Sequence, residues 1–470
     1  MYRLFLVCLC FYPCFVYAQA PVLKPAGGGG YMPAHVQCVT DSQRVRTERM
    51  LDSNRRQLIQ QGKLKQGSLY KTTSQTFDWP LQQAPGFNYY NYYGISNYVD
   101  LDSTYPNHVL DWNCGARSYD LPNGYNHAGT DIFIWPFNWN MMLNNQVRII
   151  AAAPGIIIGK SDGNPDHDCG LNDSTDWNAV YIQHNDGTVA WYGHMKSGTP
   201  TIKTIGDTVA LGEYLGQVGS SGSSTGPHLH FEVHDINNKV RDPFNGPCNQ
   251  LPSLWNIQKP YYESAVNTLM THFAAPGFAT CPLLDTINAS DTFTQGSVIY
   301  FATYYHDQLA GQVSNYTVYR PDSSVYQSWS FSDTAAWYAA SYWYWYWTFP
   351  AVEQSGKWTF QVQYHGSTYT HNFYLLPPTG VSNTLQQGNQ EYAIYPNPAR
   401  KSITIQVPYN AVNKRLQLTI YDVSAKKLLE KDYFFATDKE KIPLNLCAGI
   451  YFMQFIDTDG SRYIQKLVID

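Results

Sequence analysis

The chain has 470 residues, a length that accommodates roughly two to four domains. Only 14% of its residues are charged, whereas 15% are aromatic, and this balance favours β-rich extracellular modules over a cytosolic helical enzyme. The formal net charge of −5 excludes a broad basic field of the kind that attracts nucleic acid or an anionic membrane.

Residues 1–20 have the pattern of a secretory signal. Arg3 supplies the positive charge, residues 4–16 form the apolar core, and Ala18 and Ala20 are small residues suited to cleavage. A lipoprotein anchor at one of the three cysteines of this stretch is the alternative, and the short apolar run before them disfavours it. No later segment approaches the roughly 18 apolar residues of a transmembrane helix, so we expect an exported chain without a membrane-spanning segment.

Six cysteines follow the predicted signal, and an even number in an exported chain permits disulfide bonds. They are Cys38, Cys114, Cys169, Cys248, Cys281 and Cys447. Among the pairings that six cysteines allow, we expect Cys114–Cys169 and Cys248–Cys281. Their spacing does not resemble that of a zinc finger, and we therefore assign no metal role to any of them.

The N-terminal segment, residues 21–105, is predicted to contain one helix. Residues 34–64 carry apolar side chains such as Met50, Leu51 and Leu58 among charged ones, which is the pattern of an amphipathic helix. A tyrosine-rich stretch that is predicted to be extended follows.

The first motif that carries chemistry is His127-Ala128-Gly129-Thr130-Asp131, directly before the strand-like residues 132–135. His127 offers an imidazole nitrogen and Asp131 a carboxylate oxygen. We expect Gly129 to allow a tight turn in which the two side chains converge.

The second motif lies in a predicted β-hairpin, residues 180–195. Alternating apolar residues flank the turn Asn185-Asp186-Gly187, which is a strong short-range hairpin signal. His194 ends the second strand of this hairpin. The glycine- and serine-rich loop that follows, residues 219–226, lacks the lysine and helix of a phosphate-binding loop, and we expect it to form one wall of a substrate groove.

The third motif, residues 226–232, contains His228 and His230 in a predicted strand. Both point to one face, while the apolar residues that alternate with them point to the other. A pair of this kind is by itself a weak signal, because two structural histidines give the same pattern. With His127 and Asp131, however, His230 completes three ligands of the kind that zinc accepts, and the vacant fourth position is typical of a catalytic site.

These three motifs in this order resemble the M23 family of zinc metallopeptidases, the lysostaphin-type endopeptidases, over about residues 110–245. The resemblance implies an antiparallel β-sheet domain, which we place at residues 106–250. It implies one Zn²⁺ held by His127, Asp131 and His230, with His194 and His228 as catalytic residues that do not bind the metal. Members of the family hydrolyse peptide bonds in bacterial peptidoglycan, either in glycine bridges or in stem-peptide crosslinks.

Zinc in such a set lowers the pKa of a water molecule to about 7. His228 is placed to orient or deprotonate this water, and His194 to stabilise an oxyanion or protonate the leaving amine, although the motif does not assign these two roles uniquely. Glu232 is a candidate acceptor for an imidazole N–H, and a solvated glutamate at the strand end is the alternative.

Two interpretations of residues 21–105 stay open. The segment is either a pro-region that covers the groove, as in some family members, or a helical addition packed on the sheet. A non-catalytic module that binds cell wall is the alternative function, and the complete set of five site residues argues against it. A cupin-like metal oxidoreductase, which also uses two histidines on a strand, is disfavoured by the upstream motif at residues 127–131.

Residues 251–376 are predicted to form an immunoglobulin-like β-sandwich. A short helix is expected at residues 260–273, followed by short alternating segments separated by turn residues. These segments are 297–304, 314–320, 325–331, 342–349 and 358–364. The aromatic run 337–347 either exposes one row of rings for a partner or, as we favour, packs in the core and against the catalytic domain.

A polar linker, residues 377–390, leads to residues 391–470. Tyr395-Pro396-Asn397-Pro398 and Gly449-Ile450-Tyr451-Phe452 resemble the C-terminal sorting domain of the type IX secretion system. This resemblance implies a small β-sandwich, contact with the secretion machinery, and a secreted or cell-surface location. Taken together, the chain is predicted to be mainly β, with an M23 domain, two β-sandwiches and one short N-terminal helical segment.

Overall fold

The computed structural model describes residues 21–65, 74–170, 176–281, 283–377, 393–407, 411–423, 426–456 and 462–470. The predicted signal lies outside the described residues, as does nearly all of the predicted linker. The described part is mainly β, which confirms the predicted fold class. None of its helices combines the length and the apolar character that crossing a membrane requires.

The elements up to the third motif are strand β1 (Gly27–Tyr31), helix α1 (Asp41–Gln60), β2 (Leu81–Gln83), β3 (Tyr93–Asn97), β4 (Thr130–Ile134), α2 (Asn138–Leu143), β5 (Val147–Ile150), β6 (Gly155–Ser161), β7 (Ala179–Gln183), β8 (Val189–Gly193), β9 (Thr208–Val209), β10 (Tyr214–Gln217) and β11 (His228–His234).

A seven-stranded sheet in the order β3-β4-β11-β8-β7-β6-β9 carries all three motifs. The apolar residues of β11 point to one face of this sheet and belong to the main core, as the alternation of the sequence predicts. That face packs on a three-stranded sheet, β10-β5-β2, through residues such as Ile149 and Leu215. The opposite face of the seven-stranded sheet therefore presents the histidines.

The predicted hairpin is confirmed. Strands β7 and β8 pair antiparallel, with Gln183 opposite Val189 across the turn. Gly187 in this turn has a positive φ of 90°, a conformation that glycine adopts without steric cost. The hairpin places His194 just beyond the end of β8, beside the central strand β11.

The sequence predicts that the N-terminal helix begins at residue 34, but helix α1 begins at Asp41. Thr40 caps the helix by accepting from the backbone of Gln43, whose side chain in turn accepts from the backbone of Thr40. Residues 34–39 are consequently outside the helix. Leu51 and Leu58 of α1 pack in a second core cluster against the sheet.

A two-sheet β-sandwich follows the region that carries the three motifs. Its strands are β12 (Ala265–His272), β13 (Thr292–Thr294), β14 (Val298–Leu309), β15 (Ser314–Tyr319), β16 (Val325–Phe331), β17 (Trp337–Thr348), β18 (Gly356–Tyr364) and β19 (Ser367–Leu376). The two sheets have the orders β1-β17-β14-β12 and β13-β19-β18-β15-β16. Strand β1 thus comes from the N-terminal segment and pairs antiparallel with β17.

The short helix predicted at residues 260–273 is wrong, because this region contains strand β12. Val266, Leu269 and Met270 have the spacing of a helical face, which explains the error. The strand instead pairs with β14 over its whole length.

The aromatic run forms strand β17, whose two faces differ. Trp343 and Trp345 are buried in the sandwich, whereas Tyr342 packs on Phe278 outside it. Tyr346 alone among the aromatic residues of the described strand is more than half exposed, at 51%. The run therefore serves mainly packing, the interpretation that the sequence favours.

The predicted disulfide pairing is wrong. The structure pairs Cys114 with Cys248 and Cys169 with Cys281. The backbone of Cys248 donates to the carbonyl of Trp112, which brings that loop beside Cys114. Such tertiary proximity is not encoded in cysteine spacing.

The chain divides into two compact units, and the second contains residues 375–470. Its strands are β20 (Ala393–Tyr395), β21 (Ser402–Gln406), β22 (Lys414–Asp422), β23 (Lys427–Phe435), β24 (Lys439–Pro443), β25 (Gly449–Ile456) and β26 (Arg462–Ile469). They form a three-stranded and a four-stranded sheet around a shared apolar core, which is the small β-sandwich expected for these residues.

Candidate metal centre and active site

Strand register brings the predicted site residues together. Asp131 of β4 lies directly opposite His230 of β11, and Gly193 of β8 lies opposite His230 on the other side. Because directly opposite residues have Cβ atoms about 5 Å apart, the side chains of Asp131 and His230 meet. His194 follows Gly193 and enters the same cluster from the neighbouring strand.

The three predicted metal ligands form one cluster. His127 Nε2 lies 3.0 Å from Asp131 Oδ2, and His230 Nδ1 lies 2.9 Å from Asp131 Oδ1. His127 Nδ1 donates to the carbonyl of Tyr98 over 2.7 Å, which leaves Nε2 as the nitrogen that faces the carboxylate. A hydrogen bond at the far nitrogen is the usual way in which a protein orients a metal-binding imidazole.

The donor set fits a zinc ion. Two imidazole nitrogens and one carboxylate oxygen are ligands that zinc accepts in catalytic sites. The Nε2 atoms of His127, His194 and His228 are buried and form no hydrogen bond within the described residues. A buried nitrogen without a partner is costly, and a cation in this cluster would satisfy the one on His127.

His194 and His228 lie side by side at the edge of this cluster. Their ring centroids are 4.4 Å apart, and each ring donates from Nδ1 to a backbone carbonyl of the loop 219–226, at Ser221 and Gly226 respectively. His194 has a positive φ of 57°, which is uncommon for a residue other than glycine and is often found at functional sites.

The electrostatic surroundings of these two imidazoles differ. Burial lowers the pKa of His194, and the adjacent His228 lowers it further. Burial also opposes protonation of His228, but the charge of Asp131 together with the interactions with Cys38 and the Gly226 carbonyl raises the pKa. The pKa values of the two neighbouring imidazoles are therefore shifted in opposite directions.

Glu232 is fully buried, so the solvated alternative is wrong. Its carboxylate accepts from His230 Nε2 at 3.1 Å and from His234 Nε2 at 2.6 Å. Burial opposes its ionisation, yet the guanidinium of Arg44 and the hydrogen bonds from His230 and His234 together keep the pKa of Glu232 well below its usual range. A charged carboxylate therefore orients the His230 ring so that Nδ1 faces Asp131.

The reason for a glycine at position 129 differs from the predicted tight turn. Gly129 does not have a positive φ. A Cβ atom there would lie 2.5 Å from Nε2 of His230. The glycine is needed because the His230 ring passes directly over the backbone.

Cys38 lies at this cluster, although the sequence assigns it no metal role. Its Sγ atom is within 4.8 Å of the ligand atoms of His127, Asp131 and His230, and also of those of His194 and His228. The position of Cys38 at the site was missed because the predicted helix is too long at its N-terminus. A helix from residue 34 would place Cys38 on its first turns. The capping pattern that starts with Thr40 is the signal that would have left Cys38 in an extended stretch.

Two family models match separate regions of the chain. A model described as peptidase family M23 matches residues 127–243, which include all five predicted site residues. The chain contains a peptidase family M23 domain. A second model, described as a secretion system C-terminal sorting domain, matches residues 393–470, so a type IX sorting domain follows the M23 domain.

Individual relatives resemble a part of the chain. Glycyl-glycine endopeptidase ALE-1 of Staphylococcus capitis is 32% identical over 148 residues, which are 29% of this chain and 35% of that protein. An uncharacterized metalloprotease of Buchnera aphidicola subsp. Baizongia pistaciae (strain Bp) is 41% identical over 68 residues, which are 14% of this chain and 17% of that protein. The chain thus spans about a third or less of the length of these curated relatives.

One solved structure with a similar region is a mutant of the catalytic domain of the prophage-encoded M23 protein EnpA from Enterococcus faecalis. It is 26% identical, with a TM-score of 0.21, and the match covers 34% of this chain and 94% of that one.

Proposed function

We propose that this chain is an exported, zinc-dependent endopeptidase that hydrolyses peptide bonds in bacterial peptidoglycan crosslinks or in glycine-rich peptides. The observation that carries the proposal is the meeting of His127, Asp131 and His230 beside the two free imidazoles of His194 and His228. A non-catalytic cell-wall-binding module requires no such set.

The metal would be held by His127 through Nε2, by Asp131 through its carboxylate and by His230 through Nδ1. Zinc bound there supplies a Lewis acid and acidifies a water molecule. His194 and His228 present unpaired Nε2 atoms to the same space, where one takes a proton from the attacking water and the other donates one to the leaving amine. The assignment of these two roles stays open.

Two relatives support the substrate class. One is described as a glycyl-glycine endopeptidase, and another, from Neisseria meningitidis, as a DD-carboxypeptidase/endopeptidase that is 41% identical over 66 residues. The first name states endopeptidase activity at glycyl-glycine, and the second states carboxypeptidase and endopeptidase activity. Export is supported by the sorting domain and by the predicted signal.

The proposal is tested by metal analysis of the purified protein together with digestion of purified peptidoglycan. We expect His230→Ala to lose zinc and activity, and His194→Ala to keep zinc but lose activity. His108→Ala, a change at an exposed histidine, is the matched control and should retain both. Zinc retained in His230→Ala, or undiminished cleavage by His194→Ala, would contradict the proposal.

Two further measurements define the biology. Digestion of peptidoglycans with different bridges, followed by sequencing of the fragments, identifies the bond that is cut. Deletion of residues 391–470 should trap the protein in the periplasm, and normal export of the truncated chain would contradict the role of the sorting domain.

A further inference from the structure

Residues 34–39 lie across the candidate site between β1 and α1. The carbonyl of Ala34 accepts from the Thr225 hydroxyl over 2.7 Å, and the carbonyl of Val36 accepts from the Tyr119 hydroxyl over 2.8 Å. Thr225 belongs to the loop 219–226 and Tyr119 precedes the first motif, so the stretch is held from two separate parts of the domain. A groove that binds an extended peptide often holds alternate backbone carbonyls in this way.

Further contacts fix this stretch in place. The ring of His35 stacks on Tyr119 with centroids 4.4 Å apart, and Asn123 donates to the side chain of Gln37 over 2.7 Å. Residues 34–39 therefore occupy space that an extended substrate would require next to the metal ligands.

The thiol of Cys38 lies at the centre of this arrangement. Its side chain is buried, and its Sγ is 3.2 Å from the Tyr119 hydroxyl. The same sulfur belongs to the group with His127, Asp131 and His230 and to the group with His194 and His228. It thus lies between the candidate metal ligands and the candidate catalytic histidines.

Two independent observations point to a cation at this thiol. Among the described residues, the buried Nε2 atoms of His127, His194 and His228 have no hydrogen-bond partner, and each of these histidines belongs to a group that includes Cys38. Cys38 is also a free cysteine, although four others of this exported chain form disulfides. A thiolate is among the strongest protein ligands for zinc, so a buried free cysteine in this position has a chemical role.

We propose that Cys38 is a fourth protein ligand of the metal, and that residues 34–39 keep the enzyme latent by occupying both the groove and the coordination position that catalysis needs. This inference rests on the proposed zinc-dependent function. It goes beyond the general idea of a pro-region, because it names the atom that blocks the site.

Activation then requires that the sulfur leaves the metal, taking up a proton from solvent, and that residues 34–39 leave the groove. Binding of the thiol to the metal releases its proton, so the bound form is the thiolate. When residues 34–39 move away, the three remaining ligands keep the metal and the fourth position becomes available for water. The groove is vacated in the same movement.

Spectroscopy of the full-length chain tests the ligand directly. After substitution with cobalt(II), wild type should show a sulfur-to-cobalt charge-transfer band that Cys38→Ala lacks. X-ray absorption of the zinc form should show a sulfur shell at about 2.3 Å, which is also lost in Cys38→Ala. Cys447→Ser, a change at the exposed free cysteine, is the matched control and should keep both signals.

Activity tests the latency. If wild type is open in only about a tenth of molecules, Cys38→Ala should cleave peptidoglycan about tenfold faster at unchanged zinc content. Cys38→Ser, the closest isostere, serves as a second variant in case the alanine protein folds poorly, and it should behave in the same way.

The outcomes separate this inference from the proposed function. Metal bound by wild type without sulfur in its coordination shell overturns the role of Cys38 but leaves the endopeptidase proposal intact. Loss of the sulfur signal in Cys38→Ala without a rise in activity overturns the part of the Cys38 thiol in the latency. A wild-type protein that binds no metal overturns both proposals.

Discussion

Arg44 of helix α1 donates to both carboxylate oxygens of Glu232, over 2.5 and 3.2 Å. Because Glu232 also accepts from His230, one buried anion connects the N-terminal helix with a candidate metal ligand. The helix is therefore linked to the site electrostatically, in addition to its apolar packing through Leu51 and Leu58.

We expect Arg44→Met to lower the free energy of unfolding by about 3 kcal/mol, because it leaves the fully buried Glu232 carboxylate without its cationic partner. Urea denaturation measures this loss. Arg46→Met is the matched control on the same helix, since Arg46 pairs with Asp176 at a half-exposed position. Its effect should stay below about 1 kcal/mol, and equal losses in the two variants would argue against a special role of the buried pair.

Glu232→Gln should weaken zinc binding roughly ten- to hundredfold, because the neutral amide no longer orients and polarises the His230 ring. Competition with a chelating dye measures the affinity. The matched control is Glu213→Gln, since Glu213 pairs with Lys203 away from the cluster. An unchanged affinity in Glu232→Gln would show that the hydrogen bond to His230 does not tune the metal.

Gly129→Ala should also weaken zinc binding, because the new methyl group would meet the His230 ring at 2.5 Å and displace it. Gly277→Ala is a suitable control, since a Cβ there makes only an ordinary contact of 3.5 Å with Thr286. Zinc titration of both variants by calorimetry gives the comparison. We expect a smaller loss for Gly129→Ala than for His230→Ala, which removes the ligand itself.

Stability should depend on pH through Asp242. Burial raises its pKa from 3.8 to about 7, and its Oδ2 atom has no hydrogen-bond partner among the described residues. Because the folded state holds the proton more tightly than the unfolded state, the contribution of Asp242 is full below about pH 4 and is lost as the pH rises through 7. Asp242→Asn should remove this loss and stabilise the protein at pH 8 by on the order of 3 kcal/mol.

Denaturation at acidic and at basic pH checks this expectation, and Asp120→Asn provides a control of opposite sign. Backbone N–H groups, first that of His108, lower the pKa of Asp120, so its stabilisation is present at neutral pH and lost as the pH falls. Asp120→Asn should therefore lose stability near neutral pH. A gain of Asp242→Asn that is the same at pH 4 and pH 8 would contradict the assignment.

Non-reducing peptide mapping should recover Cys114 linked to Cys248 and Cys169 linked to Cys281. The first bond joins residues 134 apart in sequence, so its loss in a Cys114→Ala, Cys248→Ala double variant should cost about 2–5 kcal/mol of stability. Recovery of Cys114 linked to Cys169 would instead support the pairing expected from sequence.

Much of the sheet that carries the site is predictable from sequence, because period-two alternation places His228 and His230 on one face and Phe231 in the core. The hairpin before His194 follows from its turn residues in the same way. The order of the motifs is also sufficient to name the five residues that the sheet register brings together.

What sequence does not reveal depends on distant contacts. Cys38 reaches the cluster only because helix α1 docks on the sheet and leaves residues 34–39 outside the helix. Strand β1 has four consecutive glycines, so it has no alternation to detect. The close approach of Tyr344 to Gly27 and of Tyr338 to Gly30 accounts for two of them.

The pairing of β1 with β17 also bears on what a protease would achieve. The stretch with Cys38 is held at both ends. Strand β1 before it pairs with β17, and helix α1 after it is held by the ion pair between Arg44 and Glu232. A single cut within this stretch would free the thiol while both fragments remain attached to the rest of the protein. An activated molecule would consequently keep its native mass and separate into two pieces only under denaturing conditions.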